Sequence, residues 1–181
     1  MSLWRRLTGR RRGPAEDAKR LYDAVVAGAR RRGFYAAGGV PDTLDGRFEL
    51  LVLHAYLVLR RLKGESAAGD IGQALFDAMF LDMDESLREI GVGDLSVGRR
   101  VKQMAAAFYG RIAAYDEGLA AADPKPLEAA LARNLYGTLG QAPAALPAMA
   151  AYVRTAADTL AAIPAARILE TGVAFPATPF D

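Results

Sequence analysis

The chain has 181 residues, 52% of them hydrophobic and 24% charged, enough for one full-sized globular core and too few for two. With no cysteine and a single histidine, His54, it has no disulfide framework, no thiolate metal centre and too few ligands for a zinc site. The net charge of +2 is uneven: residues 1–12 carry five arginines and no acid, leaving 18 basic and 21 acidic residues in a mildly acidic body, unlike a nucleic-acid-binding domain.

Residues 1–13 read as a basic, flexible N-terminal arm. Trp4, Arg5, Arg6 and Leu7 are its candidates for weak contact with an anionic membrane surface, apolar side chains inserting while arginines meet headgroups. The arm lacks the apolar centre and small-residue cleavage site of a signal peptide. The longest apolar run, Leu50 to Leu59, is interrupted by His54 and is about half the ~20 residues of a spanning helix. A cytoplasmic protein, at most peripheral at the inner membrane, is expected.

Residues 14–181 read as a single all-α domain, a compact bundle of about five to seven helices with an irregular tail from about residue 164. Pro14 opens the first helix, with Glu16 and Asp17 in its first turn where acids suit the helix dipole. Arg30-Arg31-Arg32-Gly33 reads as its stop. Phe34 to Pro41 then reads as a loop with two exposed aromatics. The second helix runs from Asp42 or Thr43 to Lys63. It is apolar on two faces, Phe48, Leu51, Val52 and Ala55 on one and Leu50, Leu53 and Leu57 on the other, which places it at the bundle centre. His54 falls on the seam between them and is expected to be neutral with a local hydrogen bond.

A third helix is expected over about Asp70 to Ile90, with Phe76, Phe80, Met83, Leu87 and Ile90 at core spacing. Asp82 projects onto its apolar flank and needs a partner, expected to be an arginine or a helix-terminal amide. The nearby acids Asp77, Asp84 and Glu85 lack the glycine turn and alternating spacing of a calcium loop, and one helix cannot place two carboxylates across a cleft. Gly93 to Gly98 has no following Gly-Lys-Ser/Thr, so it is no phosphate loop. Ser96 reads as the cap of a fourth helix to Ala121, with small residues Ala106, Gly110 and Ala113 on its back face. Helices after Pro124 and over about Ala144 to Ile163 follow. No catalytic constellation emerges, so an enzyme is not expected, nor a metal or other cofactor.

Three segments carry a family resemblance: GVPDTLDGRFELLVLHAYLVLRRL from Gly39, ALFDAMFLDMDESLREIGVGDLSVGRRVKQMAAAFYGR from Ala74, and LARNLYG from Leu131. Over roughly residues 20–140 the chain resembles the ubiquinol–cytochrome c chaperone family, in a form like the bacterial one. The resemblance implies an assembly chaperone that binds a newly made respiratory membrane protein, cytochrome b, during bc1 complex biogenesis. Contact with the ribosome and with a small partner subunit is implied by the mitochondrial members. The residues alone fit a membrane-peripheral adaptor without client-specific folding activity equally well. The candidate partner-binding residues are those placed against local preference. Phe34 and Tyr35 are aromatics in a glycine-rich stretch. Asp77, Asp84 and Asp94 are carboxylates suited to positive cytoplasmic loops. Arg99 and Lys102 are cations near a helix start, opposing its dipole. Gly110 lies on the small-residue face.

Overall fold

The computed structural model describes residues 13–65 and 68–181, apart from the side chain at position 95. Pro14 fixes the first turn of α1 (Pro14–Ala29), where its missing N–H leaves no helical bond unmade. α1 stops at the three arginines, as expected, with Arg30 as its C-cap. They form a joint, and a one-turn helix α2 (Arg32–Ala36) begins within them. Thr43 caps α3 (Leu44–Leu62), its hydroxyl accepting from the Gly46 amide at 3.2 Å. α4 spans Gly69–Glu89 and stops where Gly91 adopts φ +84°, a conformation that costs a glycine little. α5 (Asp94–Ala120) starts three residues before the expected Val97, at Asp94 rather than after Ser96. α6 (Lys125–Asn134), α7 (Leu146–Ala161) and the short α8 (Ala165–Thr171) complete the chain. The fold is all-α, as the periodicity predicts: six helices of ten residues or more and two short ones among the described residues.

α3 is the central element. Every residue from Leu50 to Val58 is buried, and α1, α4 and α7 pack around it. Leu53 and Leu57, on the second apolar face, are 0% and 1% exposed, so that face is covered within the chain itself. α1 lies along α4, and α5 joins α4 to α6. Arg154 of α7 closes the far end of α5, donating to the carbonyls of Gly118, Ala121 and Asp123 at 3.0, 2.9 and 3.1 Å. One guanidinium thus satisfies the carbonyls a helix end leaves unpaired. Among the described residues no helix is long and apolar enough to cross a membrane.

The tail departs most from expectation. Residues 165–171 are helical, and the following extended segment enters the core instead of lying on the surface. Phe175 is buried against the His54 ring, with centroids 4.7 Å apart, and Phe180 packs edge-on to Phe34. Arg31 holds the segment by donating to the carbonyls of Phe175, at 3.0 Å, and Pro176. Gly28 and Gly33 make room for it: a Cβ at Gly28 would sit 2.7 Å from Phe175, and one at Gly33 2.9 Å from the Thr178 hydroxyl. Phe34 is therefore fully buried, not exposed in a loop, and Tyr35 is half-buried with its hydroxyl donating to the Ala29 carbonyl at 3.0 Å. The segment that covers Phe34 arrives from more than 140 positions away, which no local pattern encodes.

Candidate partner-binding surface

At the corner between α4 and α5, Arg88 links two of the candidate acids. Its Nε donates to Asp84 at 2.6 Å, and its Nη1 donates to Asp94. One cation thus lies between two carboxylates, leaving a net charge of −1. Asp77, exposed farther back on α4, accepts from the Gln73 amide at 2.7 Å. Leu81, between these acids, is 62% exposed. Asp77 and Asp84 lie on α4 and Asp94 opens α5, and Asp84 and Asp94 are already partly neutralised by Arg88.

Asp82 has a different partner from the one expected. The Tyr22 hydroxyl of α1 donates to it at 2.6 Å, so the carboxylate is held by a tyrosine and not by an arginine or a helix end. Burial first, and then this bond, push the Tyr22 phenol far above its ordinary range. Tyr22→Phe should cost about 1.5–3 kcal/mol, the worth of a hydrogen bond to a charged group, by leaving Asp82 half-buried and unpaired. Urea denaturation measures this, and a loss under about 0.5 kcal/mol, the scatter of neutral surface changes, would show that water replaces the phenol.

Asp94, Arg99 and Lys102 come together around a shallow depression on the first turns of α5, with Gly98, Gln103 and Ala106. Arg99 and Lys102 are exposed and have no ion pair among the described residues. Gly110 is also exposed, with open space where a Cβ would project, so among the described residues no other helix covers the small-residue face of α5. Tyr109 beside it is 63% exposed. Tyr35 belongs elsewhere, lining a separate groove with Arg32, Arg47, Glu89 and Ile90. Phe34 reaches no surface. Trp4, Arg5, Arg6 and Leu7 lie outside the described residues.

Sequence reasoning missed a cavity of about 480 Å³ between α3, α5 and α6. Phe48, Met104, Leu87 and Leu135 supply its apolar lining, and Glu49 and Arg111 a buried ion pair within it. Arg111 Nε donates to Glu49 at 2.6 Å, and a second guanidinium nitrogen reaches the other carboxylate oxygen, a bidentate geometry. Burial nonetheless outweighs Arg111 and leaves the Glu49 carboxyl raised above its ordinary value. The available signal was a carboxylate between Phe48 and Leu50, immediately before the longest apolar run of the chain. Arg100 and Arg133 line the same cavity, exposed and without ion pairs among the described residues.

His54 is neutral, as expected, but it has two partners. The Leu50 carbonyl, 2.8 Å from Nδ1, can only accept, so Nδ1 carries the proton and Nε2 accepts from the Tyr152 hydroxyl at 2.9 Å. Burial lowers the imidazole to about 4, opposed in part by the Leu50 bond. Fully buried and saturated, the ring is unsuited to proton transfer with a ligand. Among the described residues no group of three or more His, Cys, Asp or Glu is placed to hold a metal ion.

The family model described as Ubiquinol-cytochrome C chaperone matches residues 36–175. Ubiquinol-cytochrome-c reductase complex assembly factor 1 of Xenopus laevis is 30% identical over 156 residues, 86% of this chain and 78% of the frog protein. The Homo sapiens protein of the same name is 28% identical over 86% of this chain and 52% of its own length, so this chain spans about half of the human relative. The crystal structure of the Cbp3 homolog from Brucella abortus is similar throughout, with a TM-score of 0.82, 40% identity and 92% of each chain covered.

Proposed function

The chain belongs to the ubiquinol–cytochrome c chaperone family, and from that premise we propose that it assists assembly of the ubiquinol–cytochrome c reductase complex by holding newly made cytochrome b. The observation that carries this reading is the extent of the likeness: the family match takes in α3 to α8 whole, and with them the exposed α4–α5 face. That face offers what a holder of an unassembled membrane subunit needs. It has apolar side chains in water at Leu81 and Tyr109, flanked by Asp77 and Asp84 on one helix and by Arg99 and Lys102 on the other. Such a chaperone works beside the membrane in which its client is inserted.

Deleting the gene should lower ubiquinol–cytochrome c reductase activity and cytochrome b protein while the cytochrome b transcript stays normal. The tagged full chain should copurify cytochrome b. Charge reversal at Arg99 with Lys102 should weaken that capture more than reversal at Asp77 with Asp84, because the cations have no ion pair among the described residues and Asp84 already shares Arg88. Thermal melting in parallel separates loss of contact from loss of fold. An unaltered respiratory complex in the deletion strain would overturn the reading.

A further inference from the structure

We infer that the cavity between α3, α5 and α6 receives an acidic, apolar segment of the client: a carboxylate beside a bulky hydrophobic side chain. This rests on the chaperone reading above and adds the chemistry of what is held. Charge complementarity carries it. Three guanidiniums, those of Arg100, Arg111 and Arg133, face a cavity whose own acids are Glu49 and the exposed Asp45, so the wall keeps a net positive charge. Glu49 is consumed by Arg111. Arg100 and Arg133 are left without an ion pair among the described residues, and a guanidinium fork is matched best by a carboxylate.

The setting of Arg100 strengthens the argument. Arg133 lies in the last turn of α6, where a cation suits the helix dipole and has a local reason to be. Arg100 has none. With Arg99 and Lys102 it lies in the second and third turns of α5, beyond the first turn that Asp94 opens, so three neighbouring cations add to one positive field. Gln103 lines both the depression beside Arg99 and Lys102 and the cavity itself, so the cationic strip runs into the recess. The floor is apolar, from Phe48, Leu87, Met104 and Leu135. A volume of about 480 Å³ takes a few side chains and not a helix some 10–12 Å across. A peptide with an acid next to a hydrophobic residue satisfies the floor and the rim together. An anionic membrane would satisfy only the rim, because these cations surround a recess and not a flat face.

The test places the photoreactive residue p-benzoylphenylalanine at Gln103 of the full chain, in cells assembling the complex. The expected cross-link joins a segment of a subunit of the ubiquinol–cytochrome c reductase complex that contains Asp or Glu beside an apolar residue. Arg100→Glu with Arg133→Glu should lower its yield at least tenfold, Arg100→Glu alone should lower it measurably, and Arg100→Lys with Arg133→Lys should keep most of it. Melting temperatures should be unchanged, because both side chains are exposed and have no ion pair among the described residues. A cross-linked segment without a carboxylate, an unchanged yield after charge reversal, or a cross-link to phospholipid would each overturn the inference. Copurification separates the two levels. If the charge-reversed chain still captures cytochrome b as well as the natural one, the cavity assignment fails and the chaperone reading stands. If the natural chain captures no subunit of the complex, the chaperone reading fails and takes the cavity assignment with it.

Discussion

Arg111→Met should destabilise the protein by about 3–5 kcal/mol at neutral pH, the cost of breaking a buried ion pair from one side. Arg111 and Glu49 keep only 18% and 9% of their side-chain surface exposed, so little water is at hand to replace the lost partner. The methionine preserves much of the packing over Phe48, whose ring centroid lies 5.9 Å from the guanidinium carbon. What remains is a carboxylate in an apolar wall. The Glu49 carboxyl already sits above its ordinary value because burial exceeds the help from Arg111. Without Arg111 it rises further. A raised folded value means that the native state binds the extra proton, so stability is lost as pH rises through that value and regained as pH falls. The variant should therefore recover part of its deficit when urea denaturation is repeated at about pH 5, in the acid tail of carboxylate titration. Glu49→Gln combined with Arg111→Met should be less damaging than the two single costs added together, the signature of coupled neighbours. Equal deficits at both pH values would show that Glu49 does not stay buried once its partner has gone.

Acid should remove about 3 kcal/mol of stability through His54 alone. The imidazole lies at about 4 in the folded chain, and an unfolded histidine titrates near 6.5, at about 1.4 kcal/mol per pH unit. The folded value is depressed, so this contribution is complete above the unfolded value and disappears as pH falls from about 6.5 towards 4. Protonation would put a charge between Phe34, Phe175 and Tyr152 and turn Nε2 into a donor facing a hydroxyl that now donates to it. The tail segment at Phe175 should loosen first, because it is held from outside by one arginine and from inside by this ring. Denaturation of the natural chain and of His54→Gln across this pH range isolates the effect. Carboxylates such as Asp42, lowered by its bond to Arg47, titrate in both proteins and cancel in the difference. Parallel pH curves for the two would mean that the cluster admits the charged ring without cost.

Much of the architecture is legible in local chemistry. A helix with leucines on two faces must be enclosed, and α3 is. Thr43 before an apolar run caps it, and glycine after Glu89 and Ile90 ends α4. The pairing of Asp84 with Arg88 follows from a four-residue spacing on one helix. The cations Arg99 and Lys102 stand out in the sequence, and the structure leaves them on the exposed side of α5 without an ion pair among the described residues, but the earlier helix start at Asp94 moves them beyond the first turn.

Residues whose surroundings come from distant segments were not legible. The exposure expected of Phe34 depended on nothing folding over it, and a segment near the C-terminus does. Asp82 announces a need for a partner but not that the partner is Tyr22, 60 positions earlier. Glu49 similarly meets Arg111 62 positions later, across a cavity that exists only once α3, α5 and α6 have packed. Helix starts, stops and apolar faces are decided within a few residues, by caps, dipoles and a 3.6-residue period, so the order of residues is sufficient for them. Which polar group lies opposite which, and which aromatic is covered, depends on helices meeting across the core. Many pairings satisfy the same pattern there, and only packing selects one.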